Sequence, residues 1–288
     1  MGIDIHAFNF IRMQAKRDAL GSTLTIGRQS LSLSPNFILE NLGTKLEEGD
    51  GYCERLLEKM NASSVESIDF SNYENPTYTG DLNKDIDISK QFDTIIDAGS
   101  LEHVFDTAAA FRNLIKFCKV GGRIVHILPV NNLSGHGFWQ FSSDLMYSIY
   151  KPENGFSETE VYYASGLDFE NWYLAPSAAA GKRIEIVSIE PIILMSVTRK
   201  AGNVDAIKVT QPFYENAWKN SDATEIQATG PSIISILKKT LKTRGKIINS
   251  LRNAGLVFGL AIGKSRFSIK HPKFKEIIVK DLFREQAT

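Results

Sequence analysis

Short apolar runs recur through the first two thirds of the chain and alternate with segments of helical spacing. Residues 4 to 20, much of 35 to 60, and Leu101 to Lys119 carry apolar side chains at roughly helical intervals. The apolar runs predict strands at Leu24–Ile26, Val65–Asp69, Thr77–Asp81, Phe92–Asp97 and Arg123–Val130. Strands that alternate with helices in this way predict an α/β fold with a mainly parallel sheet.

The segment from Phe92 to Pro129 is the clearest single unit of this pattern. An apolar run ends at Asp97, small residues follow, a helical segment closes at Gly121-Gly122, and a second apolar run begins at once. This order predicts a βαβ unit. A polar residue at the carboxyl end of the first strand points into the crevice where open parallel sheets bind ligands. We therefore expect Asp97 to meet a ligand.

The alternation changes after Val130. Residues 131 to 141 predict a loop, in which Gly135 and Gly137 allow the backbone to approach a ligand closely. A short helix follows at 144 to 150. Two last strands are predicted at 159 to 164 and 191 to 199, with residues 165 to 183 as an insertion. Because no helix is predicted between these strands, we expect the final one to be antiparallel.

Several motifs fall at the predicted strand ends and in the loops after them. They are Gly27-Arg28-Gln29, Ile68 to Glu74, Gly80 to Asn83, the run to Asp97 with Cys118 to Arg123, and Asn131-Asn132 followed by Gly135 to Phe141. Together they resemble class I S-adenosylmethionine-dependent methyltransferases, in particular bacterial enzymes associated with surface-glycan biosynthesis. The resemblance covers roughly residues 20 to 200. It implies a Rossmann-like, doubly wound sheet of seven strands, mostly parallel with an antiparallel last strand.

The same resemblance implies S-adenosylmethionine as the cofactor and gives roles to the strand ends. Asp69 would accept hydrogen bonds from the ribose hydroxyls, and Asp81 or the Leu82 backbone would address adenine. The implied cofactor set is Gly27, Arg28, Gln29, Asp69, Phe70, Asp81, Leu82, Asp97, Ala98 and Gly99. Structural alternatives remain open: a strand-ending glycine beside a surface arginine, a cap at Asp69 and a turn-stabilising carboxylate at Asp81.

The loop after Val130 is the predicted acceptor site. His136 is a candidate base because an unperturbed imidazole titrates near neutral pH, and His103 is a second candidate. Asn131, Asn132, Phe138 and Trp139 are candidate substrate contacts. The alternatives are a structural hydrogen bond for His136, a packed or capping His103 and core positions for the aromatic residues. No second histidine or carboxylate lies at ligand spacing in the sequence, so the sequence predicts no metal site.

Composition describes an ordinary soluble globular protein, with 43% hydrophobic and 23% charged residues. Cys53 and Cys118 lie far apart, and no signal peptide or long apolar run is evident, so we expect a cytoplasmic location. The net charge of zero hides an asymmetry, because residues 231 to 288 hold nine Lys and four Arg against three acidic residues. This basic C-terminal stretch predicts a helix that contacts an anionic membrane, the acidic body or a second subunit, rather than nucleic acid.

Three domain segments follow: an N-terminal helix (1–20), a methyltransferase-like domain (21–200) and a basic C-terminal extension (201–288). The leading hypothesis is methylation of a hydroxyl on a small acceptor, such as a sugar or sugar nucleotide in a glycan-related pathway; nitrogen and carboxylate acceptors remain open. Because the first loop has one glycine where the family has Gly-x-Gly-x-Gly, the alternative is a catalytically silent module recruited by its basic tail. A nicotinamide-dependent reductase is disfavoured because Asp69 lies 42 residues after Gly27, about twice the usual interval.

Overall fold

In a computed structural model, the described residues form a mixed β-sheet of nine strands that organises the chain. The structure describes residues 2–46, 51–176, 184–219, 246–263, 265 and 267–284. The strands are β1 (Gly2–Ile3), β2 (Gly21–Ile26), β3 (Ser30–Leu31), β4 (Ala62–Asp69), β5 (Tyr78–Thr79), β6 (Phe92–Ala98), β7 (Cys118–Asn131), β8 (Phe156–Ser165), β9 (Asn171–Leu174), β10 (Ile192–Lys200) and β11 (Lys275–Ile278). The helices are α1 (Ile5–Arg17), α2 (Pro35–Leu42), α3 (Glu54–Lys59), α4 (Thr107–Phe117), α5 (Ser143–Ile149), α6 (Pro212–Lys219) and α7 (Lys246–Ala261).

The sheet order is β11-β9-β8-β10-β7-β6-β2-β4-β5, while β1 and β3 form a separate parallel pair. Strands β5, β4, β2, β6 and β7 run parallel to one another, and β10 is antiparallel to both β7 and β8. The seven predicted strands and the antiparallel β10 are therefore confirmed. The predicted total of seven was wrong, because β9 and β11 extend the sheet to nine.

The two extra strands come from segments that the sequence assigned to other roles. Strand β9 lies inside the predicted insertion, and β11 lies in the predicted C-terminal extension. They pair antiparallel with each other, and β9 also pairs with β8. Phe274, just before β11, is buried with its ring centroid 5.9 Å from that of Tyr163 on β8. The C-terminal segment thus supplies the edge strand of the main sheet.

Apolar clusters cover both faces of the sheet, as expected for a doubly wound fold. Successive residues of a strand point to opposite faces, so Ile95 and Ile96 of β6 belong to different clusters. On one side α4 contributes Leu114 and Phe117, and on the other α1 contributes Phe8 and Phe10 together with their neighbours. Asp4 caps α1 by accepting a hydrogen bond from the Ala7 amide at 2.8 Å.

The helix predicted from Leu101 to Lys119 was wrong at both ends. Residues 101 to 103 form a short 3₁₀ turn, and α4 starts only after Asp106, whose carboxylate accepts from the Ala109 amide at 2.9 Å. The helix ends at Phe117. Four residues then loop out of the ladder, since Phe92 pairs with Cys118 and Thr94 with Arg123. Gly121 supplies the left-handed conformation there, with φ at 86°.

The predicted basic helix between Ile233 and Leu251 lies mostly outside the described residues, in 220–245. Its end falls in α7, which exposes Leu256, Val257 and Phe258. Among the described residues, no helix is long and apolar enough to cross a membrane.

Candidate functional site

A cleft of about 430 Å³ opens at the carboxyl ends of β2, β4, β5 and β6. Parallel strands bring these four ends to one edge of the sheet, where open α/β sheets bind ligands. The cleft has the size of a small-molecule site. Eight predicted cofactor residues and His103, the second candidate for the base, line it: Gly27, Arg28, Gln29, Asp69, Phe70, Asp81, Leu82, Gly99 and His103.

The loop after β2 is held against the turn after β6. Gly27 has φ at 73°, and its amide donates to the Ile68 carbonyl at 2.7 Å. Gln29 is buried, and its amide nitrogen donates to the Ile26 carbonyl and to Ser100 Oγ. A Cβ added at Gly27 would lie 2.9 Å from Ser100 Oγ, so any side chain here would push into the lining of the cleft.

Arg28 lines the cleft, but the protein itself binds its guanidinium. Its Nε donates to Glu54 Oε1 at 2.7 Å, one terminal nitrogen donates to the Glu74 carbonyl at 2.9 Å, and the group lies 4.0 Å over the Tyr52 ring. The structure therefore shows Arg28 holding the loop after β2 to α3. Pairing with a ligand carboxylate would require Arg28 to leave or share these partners.

Asp69 and Asp81 occupy different local environments on the cleft wall. Asp69 Oδ1 accepts from the Phe70 amide at 2.6 Å, whereas Oδ2 accepts no hydrogen bond from the residues that the structure describes. Asp81 Oδ1 accepts from both the side chain and the backbone of Asn83, at 2.7 and 3.1 Å. The Asn83 side-chain hydrogen bond lowers the pKa of Asp81. Asp81 thus stabilises its turn, while Asp69 leaves one carboxylate oxygen open to the cleft.

Asp97 and Ala98 lie behind the cleft wall, contrary to the prediction of direct ligand contact. Asp97 is fully buried; its Oδ1 accepts from the Ser100 and Leu101 amides at 3.0 and 3.3 Å. Its Oδ2 lies 2.8 Å from His126 Nδ1, and His126 Nε2 lies 2.6 Å from the Tyr150 hydroxyl. This buried network gives both oxygens of Asp97 hydrogen-bond partners within the protein, and it fixes the Gly99-Ser100 turn.

A second group of polar side chains lies beside His103. Glu102 is fully buried, and its Oε1 is 3.9 Å from His103 Nε2 and 3.8 Å from His136 Nε2. The two imidazole centroids are 5.7 Å apart. Burial, and then the charge of Asp97, raise the pKa of Glu102 to about 8. Burial, and then His136, lower the pKa of His103. The structure therefore brings together the two predicted catalytic histidines, with a carboxyl group that the sequence analysis missed.

The loop of residues 132 to 141 is fixed directly on Glu102. The Phe138 amide donates to the Glu102 carbonyl at 2.7 Å, and the Trp139 amide donates to it at 3.3 Å. Gly137 allows this contact, because an added Cβ would lie 2.7 Å from both Glu102 Cγ and the Glu102 carbonyl oxygen. This docking places His136 next to His103, a proximity that sequence spacing does not reveal.

Three aromatic side chains form an exposed group near the two histidines. The Phe105 ring centroid is 6.2 Å from those of Phe138 and Trp139, and the Trp139 indole donates to the Val104 and Phe105 carbonyls. Phe105, Phe138 and Trp139 are exposed, so none of the three is a core residue.

The predicted substrate contacts Asn131 and Asn132 instead donate hydrogen bonds to Ser188, and Asn132 also donates to the Glu190 carbonyl. These asparagines tie β7 to the segment before β10.

No protein-family model matches the chain, and no curated protein matches it. The chain is similar to solved structures at low levels. N-methyltransferase NodS from Bradyrhizobium japonicum, in complex with S-adenosyl-L-homocysteine, is 12% identical, with 66% of this chain and 83% of that chain covered and a TM-score of 0.39. TehB from Haemophilus influenzae is 13% identical, with 66% and 61% covered and a TM-score of 0.38.

A TehB-like S-adenosylmethionine-dependent methyltransferase from Corynebacterium glutamicum is 18% identical, with 67% of this chain and 87% of that chain covered and a TM-score of 0.38. These sequence identities and TM-scores are too low to assign a function to the chain, so a function has to be inferred from the residues of the site.

Proposed function

We propose that the protein is an S-adenosylmethionine-dependent methyltransferase that methylates a hydroxyl group of a small acceptor. The observation that carries this proposal is the meeting of four strand ends in one cleft, with an open carboxylate oxygen at Asp69 and with Gly27 at a position where a Cβ would lie 2.9 Å from Ser100 Oγ. An acid at the end of the second parallel strand is suited to accept hydrogen bonds from ribose hydroxyls.

The residues of the cleft fit this cofactor in charge as well as in shape. Asp69 and Asp81 line the cleft, and the buried Asp97 lies behind its wall. Carboxylates around a cleft favour a cation, and S-adenosylmethionine supplies a methyl group on a positively charged sulfur. A backbone without Cβ at Gly27 leaves room for the cofactor beside the Ser100 turn. The buried Gln29 Oε1, which accepts no hydrogen bond from the described residues, lies in the same loop.

Within the proposed site Asp69 holds the ribose, the turn of Asp81 and Leu82 borders the adenine, and exposed Phe70 covers the rim. Gly27 and Gly99 provide close backbone approach for the methionine part. Asp97 acts from behind the wall by fixing the turn, and the buried Ala98 follows it in the chain. Arg28 keeps the first loop in place through Glu54.

The acceptor end of the proposed site is the group of histidines and exposed aromatic rings. His103 lines the cleft and His136 lies beside it, so either imidazole is placed to receive the proton of an acceptor hydroxyl. Phe105, Phe138 and Trp139 offer flat apolar faces to a sugar ring or the base of a sugar nucleotide. We assign the base to His136 and the acceptor class to sugars or sugar nucleotides of a glycan-related pathway.

Methyl transfer is tested by the appearance of S-adenosylhomocysteine, measured by mass spectrometry, in mixtures of protein, S-adenosylmethionine and nucleotide sugars. We expect product with at least one hydroxyl acceptor and a loss of roughly 100-fold or more in rate for His136→Ala, the usual contribution of a general base. Product with amine acceptors only, or with none, would reject the hydroxyl assignment.

A second proposal concerns the C-terminal region: peripheral contact with an anionic membrane surface. The specific observation is that α7 exposes Leu256, Val257 and Phe258, in a stretch of the sequence rich in Lys and Arg. Co-sedimentation with vesicles containing phosphatidylserine should fall sharply for Val257→Ser combined with Phe258→Ser. Equal co-sedimentation of this variant and the parent protein would contradict the membrane proposal.

A further inference from the structure

We propose that Glu102, His103 and His136 bind a divalent transition-metal ion. One ligand atom from each of the three side chains lies within 4.8 Å of those of the other two. Residues 102 and 103 come from the 3₁₀ turn after β6, and His136 comes from the loop after β7. Two imidazoles and one carboxylate form a donor set that binds zinc and other first-row metals in proteins.

Glu102 provides the independent sign of a ligand. Its side chain is fully buried, yet neither carboxylate oxygen accepts a hydrogen bond from any residue that the structure describes. Buried polar atoms almost always have a partner, and a carboxyl group without one is costly. A cation that replaces the carboxyl proton and lies between Glu102 and the two imidazoles would satisfy both oxygens. The histidine nitrogens at 3.8 and 3.9 Å are too distant for hydrogen bonds with Oε1.

The observed distances fit a site that needs only small side-chain movements. Ligand atoms about 2.1 Å from a tetrahedral zinc ion lie roughly 3.4 Å apart. Each histidine nitrogen must therefore approach Glu102 by about half an ångström, and the two histidine nitrogens, which lie within 4.8 Å of each other, must approach by up to about 1.4 Å. The histidines can move, because their side chains are 49% and 37% exposed, whereas Glu102 is fixed. The two hydrogen bonds from the Phe138 and Trp139 amides to the Glu102 carbonyl hold the loop of residues 132 to 141, which carries His136, in place.

The donor set points to a particular class of ion. Mg²⁺ and Ca²⁺ prefer oxygen ligands, whereas imidazole suits Zn²⁺ and its neighbours in the first transition row. Three protein ligands leave at least one coordination position open, and the exposed histidine edges place it on the solvent side. That position can accept the oxygen of a small ligand.

The metal site deepens the proposed function, and its catalytic consequence rests on that function. A hydroxyl bound to the ion loses its proton to solvent more readily, because the metal lowers its pKa. In the metal-bound protein the ion therefore replaces His136 as the group that activates the acceptor. Metal binding itself does not depend on methyl transfer and is measured separately.

Zinc binding is tested by isothermal titration of ZnCl₂ into tag-free wild-type protein, Glu102→Gln, His103→Ala and His136→Ala. We expect one zinc ion per chain in the wild type and at least about tenfold weaker binding in each variant, because even the loss of a residue that only supports a ligand costs about tenfold or more. His271→Ala is the matched control, because it removes a histidine outside the cluster, and should bind zinc as the wild type does. MgCl₂ is titrated in parallel and should bind more weakly.

The two half-exposed histidines keep the test decisive even if Glu102→Gln fails to fold, since their replacement leaves the core untouched. Absence of zinc binding by the wild type, or unchanged binding in both histidine variants, would overturn the metal site. S-adenosylhomocysteine binding is measured on the same wild-type sample. Its absence would count against the proposed methyltransferase and not against the metal site.

Discussion

At the scale of single residues, Gly27 shows how one backbone position shapes the cleft. Its φ of 73° and the close Ser100 Oγ leave no room for a side chain. Gly27→Ala should therefore weaken S-adenosylhomocysteine binding at least tenfold and lower stability by about 1 kcal/mol, because a left-handed non-glycine residue is strained. Gly43→Ala is the control, since Gly43 has φ at 68° with nothing near its missing Cβ. Equal affinity of Gly27→Ala and Gly43→Ala for S-adenosylhomocysteine would contradict a close approach of the ligand to the Gly27 backbone.

Asp93, at the start of β6, gives a prediction for acid stability. Burial acts to raise its pKa, but hydrogen bonds from Ser22 and Lys119 outweigh this and lower the pKa to about 2. A lowered pKa adds stability that is present above the unfolded value of 3.8 and is lost as the pH falls towards 2.

Asp93→Asn should thus cost stability at pH 6, by about 1 kcal/mol after allowance for a side chain that is 44% exposed, and cost little near pH 2. Urea unfolding at both pH values measures this difference. The exposed Asp87→Asn serves as control and should change little at either pH. A cost for Asp93→Asn that persists undiminished at low pH would show that its ion pair is not responsible.

At the scale of elements, the loop from 132 to 141 and the turn after β6 form one docked unit. Gly137→Ala would place a methyl group 2.7 Å from the Glu102 carbonyl and separate the two segments. We expect zinc binding at least about tenfold weaker, with the global fold retained. Gly202→Ala is a matched control, because nothing lies within 4 Å of its missing Cβ. Wild-type zinc affinity in Gly137→Ala would show that loop docking does not set the metal geometry.

Elements with strong local signals could be predicted from the sequence, and those defined by distant partners could not. The runs at Leu24–Ile26 and Phe92–Asp97 combine apolar residues with clear polar ends, so their strands were predictable. The break between Leu101 and α4 was missed because Asp106 lies within an otherwise helical pattern, and its capping role depends on local geometry. Strand β9 was missed because its stability comes from β8 and from β11, about 100 residues later.

The residues of the candidate site likewise include some that could be predicted from the sequence and others whose roles depend on distant partners. Gly27, Asp69 and Asp81 stand at strand ends, where topology alone places them in the cleft. Whether a strand-end carboxylate faces the ligand or the core depends on its neighbours, and His126 with Tyr150 keeps Asp97 inside. Glu102 could not be identified as a ligand beforehand, because its partner His136 is brought near only by the docking of the later loop.

At the scale of the whole molecule, the C-terminal residues complete the sheet. Phe267, Ile269, Phe274 and Val279 are buried, and β11 covers the edge of β9. Ending the chain at residue 263 removes about 6 to 12 kcal/mol of apolar burial, comparable with the net stability of a domain. We expect this protein to unfold or aggregate, as measured by circular dichroism and size-exclusion chromatography. A chain ending at Arg284 should behave as the full-length protein; a folded, monomeric protein ending at 263 would show that β11 is dispensable.

We propose above all that the cleft at the carboxyl ends of β2, β4, β5 and β6 binds S-adenosylmethionine through Asp69. Isothermal titration of S-adenosylmethionine into the wild type, Asp69→Ala and the exposed control Asp205→Ala tests it most directly. We predict micromolar binding to the wild type and to the control, and at least about tenfold weaker binding to Asp69→Ala, the loss expected for hydrogen bonds to a charged group. No heat of binding with the wild type, or equal affinity in Asp69→Ala, would contradict the claim.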